Sequence, residues 1–456
     1  MTISVSVIMY VKNGMPYFER ALKSVCDQSL KSIEILVVDG GSSDGTLELV
    51  NKYAKNDSRI RVLNCSAGSV GAQFNLGLKE ASGKYIGIVE SDDYVLPEMY
   101  ESLYAVAEMH NSDMVRADNY IFWGEQSEEI KIRTNVSSKG DVYGKNISYE
   151  ENPMTAMIGG SFWTGLYRKD FLMENAIMMN ESSGASYQDF GFLFLTSVMA
   201  RSIYYFKEAF YCYRKDNPNS SCNSPKNRMA VQNEYKFLMA ELKKRDMWEK
   251  CKDYYLMWFL RNERWFCSCL TEDDRKYHIV DFYNGFVESL LTNEQLPTFF
   301  NNKEREMAAA IKSGKNTLRE LLIEDNLYYQ QMNSFLQTDL SLKRIYIFGA
   351  GNVGDIIRLA IEKKKAKPVA FVDNSNSAQG TKKNGLEIIS SMDMLVDFST
   401  VILVCSENYA REIRQQLVRE GVAENAILVS NSMDMAVKLL INAIDDEKSL
   451  MEDVDE

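Results

Sequence analysis

The sequence predicts an α/β protein with three structured parts: a mostly parallel sheet covered by helices, a helical middle region and a smaller C-terminal α/β domain. In the first 120 residues, short apolar runs alternate with segments of helical periodicity, which is typical of a parallel sheet with crossover helices. Residues 226–338 carry a helical pattern, and a new strand, glycine-rich turn and helix begin at "KRIYIFGAGNVGDII". We therefore expect domains at 1–225, 226–338 and 339–440, followed by an acidic, disordered tail at 441–456.

The N-terminal strands are predicted from apolar runs that end in turn signals. A continuous apolar run is expected of a strand that helices cover on both faces. The predicted strands are Val5–Tyr10, Ile33–Asp39, Arg59–Asn64, Tyr85–Glu90 and Asp113–Asp118. The helical spacing of Phe18, Leu22 and Val25 predicts the first connecting helix, and such connections are right-handed crossovers between parallel strands.

The bulk composition excludes several functional classes. The 456 residues carry a net charge of −12, whereas nucleic-acid binding needs a basic face. Only two histidines, His110 and His278, are present, which argues against a histidine base and a multi-histidine metal site. The eight cysteines lack the C-x-x-C spacing of zinc sites, so we interpret them as reduced thiols of a cytoplasmic protein. No apolar run reaches the roughly 18 residues that a membrane span needs.

Polar residues follow or end three of the predicted strands. Tyr10, Asp39 and Glu90 all lie at carboxyl ends, which is the edge where open parallel sheets bind ligands. In "VVDGGSSDGT", Asp39 is placed to accept hydrogen bonds from a nucleobase or ribose, and the small residues after it allow backbone to approach a ligand. The alternative is an ordinary strand–turn–helix connection in which the aspartate is a cap.

The stretch "VESDDY" predicts a cation site. In an extended chain Glu90 and Asp92 point to one face, so they form a pair of carboxylates of the kind that holds Mg²⁺ or Mn²⁺ together with substrate phosphates. A cation would offset both the repulsion between the carboxylates and the charge of a diphosphate. The alternative is a solvated acidic turn before a helix.

Taken together, these stretches resemble glycosyltransferase family 2, whose catalytic domain has the GT-A fold. The resemblance covers about residues 1–225. The matching stretches are "YVKNG", "IEILVVDGGSSDGT", "NLGLKEASGKYIGIVESDDYV", "FWTGLYRKDFL", "GASYQDFGF" and "YCYRKDNPNSS". The chain departs from the family pattern in having Glu90-Ser91-Asp92 at the Asp-x-Asp motif and Gly40 where a second aspartate is common.

The resemblance implies roles for the donor-site residues. The backbone near Tyr10 and Val11, together with Asp39, would hold the nucleotide. Asp92 would ligate a metal that bridges the diphosphate, and Glu90 would share in the metal site or contact ribose or an outer-shell water. Asp93 would support the loop or meet the acceptor.

The resemblance also implies a base, a second cation and a sugar contact. Asp189, in Tyr187-Gln188-Asp189, corresponds to the acidic residue that takes the proton of the acceptor hydroxyl, with inversion at the anomeric carbon; the alternative is a helix N-cap. Arg214 is a candidate to meet the leaving diphosphate, against a surface salt bridge. Trp163 is a candidate to stack on a sugar face, against a place in the core.

The C-terminal domain carries a separate nucleotide-type motif. A predicted strand is followed by Gly349-x-Gly351-x-x-Gly354 and a helix, and Asp373 ends the next strand 22 residues after Gly351. This spacing is that of a Rossmann-like dinucleotide fold, so the domain is predicted to be Rossmann-like. Whether it binds an NAD-like or other nucleotide ligand is left open, and residues for hydride transfer are not evident.

The combined prediction is a cytosolic, metal-dependent, inverting glycosyltransferase. It would move a sugar from a nucleotide-sugar, a UDP-sugar by preference, to a hydroxyl of a glycan or lipid-linked glycan of lipopolysaccharide, capsule or exopolysaccharide. The alternatives are a nucleotidyltransferase, although the first turn lacks a glycine-rich basic loop, and a nucleotide-sensing scaffold without chemistry. Three alternative roles remain open for the helical region. It would pack the two α/β parts, form a contact between copies in a homo-oligomer, or dock an acceptor at the inner face of the membrane.

Overall fold

The structure is a computed structural model of the chain. The structure describes residues 2–125, 129–137, 142–157, 161–220, 230–269, 291, 296–406 and 409–455. These residues belong to two compact units, Met1–Tyr254 and Tyr255–Glu456. The boundary divides the predicted helical region, 226–338, between the two units. The separate domains predicted from the sequence therefore remain a proposal, and each unit is described by itself.

The first unit is built on one mixed sheet. Its strands are β1 (Val5–Val11), β2 (Ile33–Asp39), β3 (Ile60–Asn64), β4 (Tyr85–Ile88), β5 (Tyr94–Val95), β6 (Met114–Trp123), β7 (Ile130–Thr134), β8 (Asn146–Ile147), β9 (Gly165–Arg168) and β10 (Ile203–Arg214). The order along the sheet is β3-β2-β1-β4-β9-β6-β10-β5. Neighbours β3, β2, β1 and β4 are parallel, as are β6 and β10, whereas β9 runs antiparallel between β4 and β6. The prediction of a mostly parallel α/β sheet is confirmed.

Helices connect the strands of this unit. They are α1 (Phe18–Cys26), α2 (Thr46–Ala54), α3 (Val70–Glu80), α4 (Met99–His110), α5 (Pro153–Ala156), α6 (Lys169–Glu174), α7 (Gln188–Met199) and α8 (Ala230–Lys244). The apolar spacing predicted for α1 is confirmed, because Phe18, Leu22 and Val25 are all buried. Every residue of β1 and β2 is buried, as expected of strands covered on both faces.

The second unit contains a smaller parallel sheet. Helix α9 (Trp248–Cys269) crosses the boundary between the units. The later elements are α10 (Asn302–Ser313), α11 (Lys315–Leu336), β11 (Arg344–Phe348), α12 (Asn352–Lys363), β12 (Ala370–Val372), β13 (Lys382–Lys383), β14 (Leu386–Ile389), β15 (Thr400–Cys405), α13 (Ala410–Arg419), β16 (Ile427–Ser430) and α14 (Met433–Asp455). The parallel strands lie in the order β14-β12-β11-β15-β16, which is that of the first five strands of a doubly wound sheet.

The structure has a helix at residues 433–455, where the sequence predicts a disordered tail at 441–456. Helix α14 runs from Met433 to Asp455 and so includes nearly all of residues 441–456. The segment "DDEKSLMEDVDE" contains no glycine or proline and is rich in residues that favour helices, so its acidic composition does not stop the helix. None of the helices in the described part of the chain is long and apolar enough to cross a membrane.

Candidate functional site

The loops after β1 and β2 are joined to each other at the carboxyl edge of the sheet. Three successive backbone N–H groups of the first loop donate to side chains of the second. These bonds run from Asn13 to Ser42 Oγ (2.9 Å), from Gly14 to Thr46 Oγ1 (3.0 Å) and from Met15 to Asp44 Oδ2 (2.9 Å). The small polar residues of "GGSSDGT" supply the acceptors, so this local sequence fixes the position of the two loops relative to each other at the carboxyl edge of the sheet.

Asp39 lies at the end of β2 and is almost fully buried, with 3% of its surface exposed. Its carboxylate accepts hydrogen bonds from the backbone N–H of Gly41 (3.0 Å) and of Ser42 (3.1 and 3.2 Å). The aspartate therefore does form the turn cap that was the alternative to ligand binding. A carboxylate has about four lone-pair sites, so the cap does not use up its capacity to accept from a ligand.

The strand ends next to Asp39 are held by a buried glutamine of α3. Gln73 Nε2 donates to the carbonyl oxygens of Val11 (3.1 Å) and Val38 (2.8 Å). The Val11 oxygen also accepts from the N–H of Gly40 at 2.7 Å. Both lone pairs of the Val11 carbonyl oxygen are thus engaged. The predicted contact of Val11 with a nucleotide would therefore use other atoms of this residue.

Glu90 lies directly after β4, in reach of β1 and β10. The hydroxyl of Tyr10 donates to Glu90 Oε1 at 3.0 Å, and the N–H of Glu90 donates to the hydroxyl of Tyr211 at 3.0 Å. Burial raises the pKa of Glu90 to about 8; the negative charges of Asp92 and Asp189 add to the rise, and the bond from Tyr10 opposes it. The charge of Asp189, about 100 residues further along the chain, thus acts together with that of neighbouring Asp92 on Glu90.

Asp92 and Asp93 have different surroundings although they are adjacent. Asp93 is 1% exposed and accepts from the Tyr211 hydroxyl (2.7 Å) and the Arg214 N–H (2.8 Å). Burial raises its pKa well above the usual value, with Asp92 and Glu90 adding to the rise. Asp92 is less buried and accepts from Asn217 Nδ2 at 2.7 Å. Asp93 is thus tied into the fold, as predicted for a loop support, and Asp92 is the more accessible carboxylate.

Arg214 supports the acidic turn through its own hydrogen bonds. Its Nε donates to the backbone oxygen of Asp92 at 3.0 Å, and its Nη1 contacts Glu125 Oε1 (2.8 Å) and Asp216 Oδ1 (3.1 Å). The guanidinium also lies over the ring of Tyr17. Arg214 thus forms the ion pairs of the alternative interpretation, although its own side chain is only 2% exposed. Its paired charge favours a role in positioning Asp92 over direct contact with a diphosphate.

Trp163 lies beneath the site. It is 4% exposed, stacks on the ring of Tyr211 with centroids 4.1 Å apart, and lies at a tilt to Tyr213 at 5.2 Å. A sugar cannot reach a face that is already stacked and buried, so the structure favours the core position over the sugar contact. Trp163 orients Tyr211, which in turn binds Glu90 and Asp93.

Asp189 is in the first turn of α7 and is partly buried. The residue before the helix start, Tyr187, has φ of 70°, a conformation that is rare for a residue with a bulky side chain. Burial raises the pKa of Asp189 to about 6. Asp189 is not the N-cap, since the cap position is Tyr187 and no side chain caps the helix there.

The residues present fit a divalent cation. Among the described residues, no group of three or more His, Cys, Asp or Glu side chains is placed to hold an ion. A site made of Glu90 and Asp92 would therefore need further oxygen ligands from a substrate, as magnesium sites at phosphates commonly do. The raised pKa of Glu90 next to Asp92 reflects negative charge that a cation would offset.

Two of the three glycines in the glycine-rich turn of the second unit lie close to backbone atoms. A Cβ on Gly349 would lie 2.2 Å from the oxygen of Cys405, and one on Gly354 would lie 2.0 Å from the oxygen of Gly349, whereas Gly351 faces open space. Asp373 Oδ2 accepts from the N–H of Ala350 at 3.4 Å. The acidic residue thus contacts the turn, while the binding of a nucleotide there stays a prediction.

Several residues that build the site were not singled out by the sequence. Tyr211 and Asn217 lie within the quoted stretch "YCYRKDNPNSS", so their neighbourhood was identified but their roles were not. Gln73 gave one signal, a polar residue on an otherwise apolar helix face in "VGAQFNLGL". Each of them acts on a residue more than 30 positions away, and such pairing is not visible in local sequence.

Comparison with known proteins agrees with this geometry. The family model described as glycosyl transferase family 2 matches residues 6–172, and a second model, described as C2185-like, N-terminal, matches residues 341–428. The first match includes Asp39, Glu90 and Asp92 and ends before Asp189 and Arg214.

Curated relatives match about half of the chain. An uncharacterized glycosyltransferase, EpsJ, of Bacillus subtilis is 30% identical over 224 residues, which are 48% of this chain and 63% of the relative. A cholesterol galactosyltransferase of Borreliella burgdorferi is 27% identical over 265 residues, 56% of this chain and 72% of that protein. The chain thus spans less than two thirds of the length of the first of these relatives.

Solved structures share the fold. Residues 1–349 of S. aureus TarS, in a crystal structure with UDP-GlcNAc, align with a TM-score of 0.55 and 20% identity, covering 69% of this chain and 89% of that one.

Proposed function

We propose that this chain, whose residues 6–172 form a glycosyltransferase family 2 domain, transfers a sugar from a UDP-sugar to a hydroxyl group of a cell-surface glycan, with inversion at the anomeric carbon. One observation carries the proposal. The segment before α7 is bonded to the start of α3, where the N–H of Val70 donates to the oxygen of Gly184 at 3.0 Å, and the charge of Asp189 adds to the rise that burial causes in the pKa of Glu90. A base for an acceptor and a carboxylate pair for a diphosphate therefore share one edge of the sheet.

Asp189 supplies the base. In its ionised form it accepts the proton of the acceptor hydroxyl while the acceptor oxygen attacks the anomeric carbon. The bond from that carbon to the diphosphate oxygen breaks, and the diphosphate leaves with the electron pair. A pKa of about 6 suits this role, because the group is ionised at neutral pH and still basic enough to accept a proton.

Asp92 and Glu90 are proposed to hold a Mn²⁺ or Mg²⁺ ion together with the diphosphate. When bound, such an ion stabilises the negative charge that grows on the departing diphosphate. Asp93, Tyr211 and Arg214 position Asp92 through the hydrogen bonds of the turn. Asp39 and the backbone near Tyr10 are proposed to hold the nucleotide.

The donor and acceptor classes rest on relatives. TarS of S. aureus has been crystallised with UDP-GlcNAc and with UDP, and the Borreliella relative is named as a galactosyltransferase. These names favour a UDP-sugar over other nucleotide-sugars. A glycan or lipid-linked glycan acceptor and a cytoplasmic location complete the proposal; Cys26, Cys65, Cys212, Cys251 and Cys405 are free, in keeping with reduced thiols.

The direct test is release of free nucleotide by the full chain from a panel of nucleotide-sugars. The panel comprises the UDP-linked glucose, galactose, GlcNAc and GalNAc donors, with GDP- and dTDP-sugars as comparisons, each with Mn²⁺ or Mg²⁺. We expect release from one UDP-sugar and loss of release in Asp92→Asn. Asp27→Asn is the matched control, since that carboxylate is exposed and pairs only with Lys23 in α1. Binding of UDP without release from any donor would favour the sensing scaffold.

A further inference from the structure

A buried carboxylate on α8 lies next to the segment that leads to Asp189. Glu234 is 1% exposed and lies after the last residue matched by the family model. Its Oε1 accepts from Asn180 Nδ2 at 2.7 Å and from Ser182 Oγ at 3.1 Å. Its Oε2 has no hydrogen-bond partner among the described residues and lies 3.8 Å from where a Cβ on Gly191 would be. The carboxyl group thus connects the segment before α7 with the first turns of α7.

We propose that Glu234 is a positioning residue of the transfer reaction: it holds residues 180–188 against α8 and thereby fixes the first turn of α7, which carries Asp189. This inference rests on the proposed function for the role of Asp189. The segment 180–188 is named the base-leading segment below.

The base-leading segment has further anchors within this unit, among them backbone hydrogen bonds of Gly184 with Gly68 (2.9 Å) and Val70 (3.0 Å). Asn75 of α3 exchanges hydrogen bonds with the backbone of Met179 and donates to Glu181 Oε1 at 3.0 Å. Gln188 Nε2, at the start of α7, donates to the oxygens of Ser182 (3.2 Å) and Gly184 (3.3 Å). Glu234 holds the start of the segment, so its removal leaves Asn180 and Ser182 without the carboxylate acceptor that fixes them.

The placement of a carboxyl group here is costly and therefore informative. Burying a carboxylate with one oxygen unpaired lowers the stability of the fold. The presence of Glu234 at this position therefore points to a role other than stability. Burial raises the pKa of Glu234 to about 7; the bonds from Asn180 and Ser182 oppose the rise, and the charge of Asp189 adds to it. The two carboxyl groups are therefore close enough to interact.

The direction in which Asp189 points depends on the backbone conformation of the residue before α7. Tyr187 enters the helix at φ 70°, and a residue in such a conformation persists only when its surroundings hold it. When the base-leading segment is released, the backbone of Tyr187 leaves its positive φ. The first turn of α7, which carries Asp189, then changes its orientation. A shift of about 1 Å at a reacting group lowers the rate by up to about 100-fold, so we expect an effect on turnover with little effect on donor binding.

The test compares Glu234→Ala with Glu234→Gln in the full chain. The amide oxygen of glutamine accepts from Asn180 and Ser182 as the carboxylate does, so we expect Glu234→Gln to keep kcat for nucleotide release within about threefold of the wild type. We expect Glu234→Ala to lower kcat by about tenfold or more while KM for the donor changes less than about twofold. Glu249→Gln, on an exposed side chain of α9, is the matched control.

Two further measurements make the outcome decisive. The double variant Asn180→Ala, Ser182→Ala removes the same bonds from the other side and should reproduce Glu234→Ala, which covers the case in which Glu234→Ala does not fold. Hydrogen exchange of peptides spanning 180–188 should rise in both variants and not in Glu249→Gln, whether or not a donor is known. Unchanged exchange and unchanged kcat in folded Glu234→Ala would overturn the inference. Faster exchange in an enzyme that releases nucleotide from no donor would instead support the anchoring and contradict the proposed function.

Discussion

At the scale of single residues, the account depends on the ionisation of Asp189. Burial raises its pKa to about 6, and only the ionised form accepts a proton. We therefore expect kcat to be constant between about pH 7 and 8 and to fall about tenfold per unit below pH 6. A profile of kcat from pH 5 to pH 8 checks this.

Acid unfolding through this group does not explain such a fall. Burial raises the folded-state pKa of Asp189 above the ordinary value of an aspartate, so the folded state binds the proton more tightly than the unfolded state does. The contribution of Asp189 to the free energy of unfolding is therefore largest at low pH and is lost as pH rises through 6. A rate that stayed constant down to pH 5 would contradict Asp189 as the base.

Substitution of Asp189 separates base chemistry from binding. Asp189→Asn keeps the shape of the side chain and removes the basic oxygen, so we expect nucleotide release to fall by about two to four powers of ten. Binding of UDP with Mn²⁺, measured by isothermal titration calorimetry, should remain within about threefold of the wild type. Asp27→Asn is again the control. Full activity of Asp189→Asn would show that another group takes the proton.

At the scale of elements, α3 and the chain before α7 pack closely because of one glycine. A Cβ on Gly71 would lie 1.8 Å from the backbone oxygen of Asn180, and a backbone atom cannot move aside as a side chain can. Alanine favours a helix over glycine by about 1 kcal/mol, yet we expect Gly71→Ala to lower the free energy of unfolding by about 1–3 kcal/mol because the overlap must be relieved.

The thermal midpoint of the full chain measures this effect. Gly351→Ala is the control, because an added Cβ there meets nothing within 4 Å. Displacement of Asn180 should also lower kcat, as in the Glu234 variants. A raised midpoint in Gly71→Ala would mean that the helix propensity outweighs the contact and that the segment is not held against α3.

The elements also show what sequence can and cannot predict. The apolar runs predicted β1, β2, β3 and the start of β6, and the signal is plainest for β1 and β2, in which every residue is buried. The antiparallel β9 has only four residues, "GLYR", and is defined by pairing with β4 and β6, which local pattern does not contain. The acidic end of the chain was predicted to be disordered, although its residues favour a helix.

The candidate site divides in the same way. The acids were predictable, since a carboxylate at the end of a buried strand is unusual and Glu90 and Asp92 follow one. Their environment was not: the bonds of Tyr211 and Arg214 to Asp93 span more than 115 positions. The surroundings of Trp163 show the same limit, because the ring stacked on it belongs to Tyr211, 48 residues later on β10.

At the scale of the whole molecule, the chain combines two α/β units. The first contains the carboxylates of Asp39, Glu90, Asp92 and Asp189, and the second contains the glycine-rich turn from Gly349 to Gly354 together with Asp373. The chemistry proposed here belongs to the first unit alone, and the match of the second unit to the C2185-like model does not assign it a ligand.

The central claim is that the acids after β4 hold a divalent cation against a diphosphate. Isothermal titration of UDP into the full chain, with Mn²⁺ and with EDTA, tests it most directly. We expect UDP to bind about tenfold or more tightly with Mn²⁺ in the wild type and in Asp27→Asn, and we expect Asp92→Asn to bind UDP equally weakly under both conditions. If Asp92→Asn bound UDP with the same gain from Mn²⁺ as the wild type, the metal would lie elsewhere and the account would be wrong.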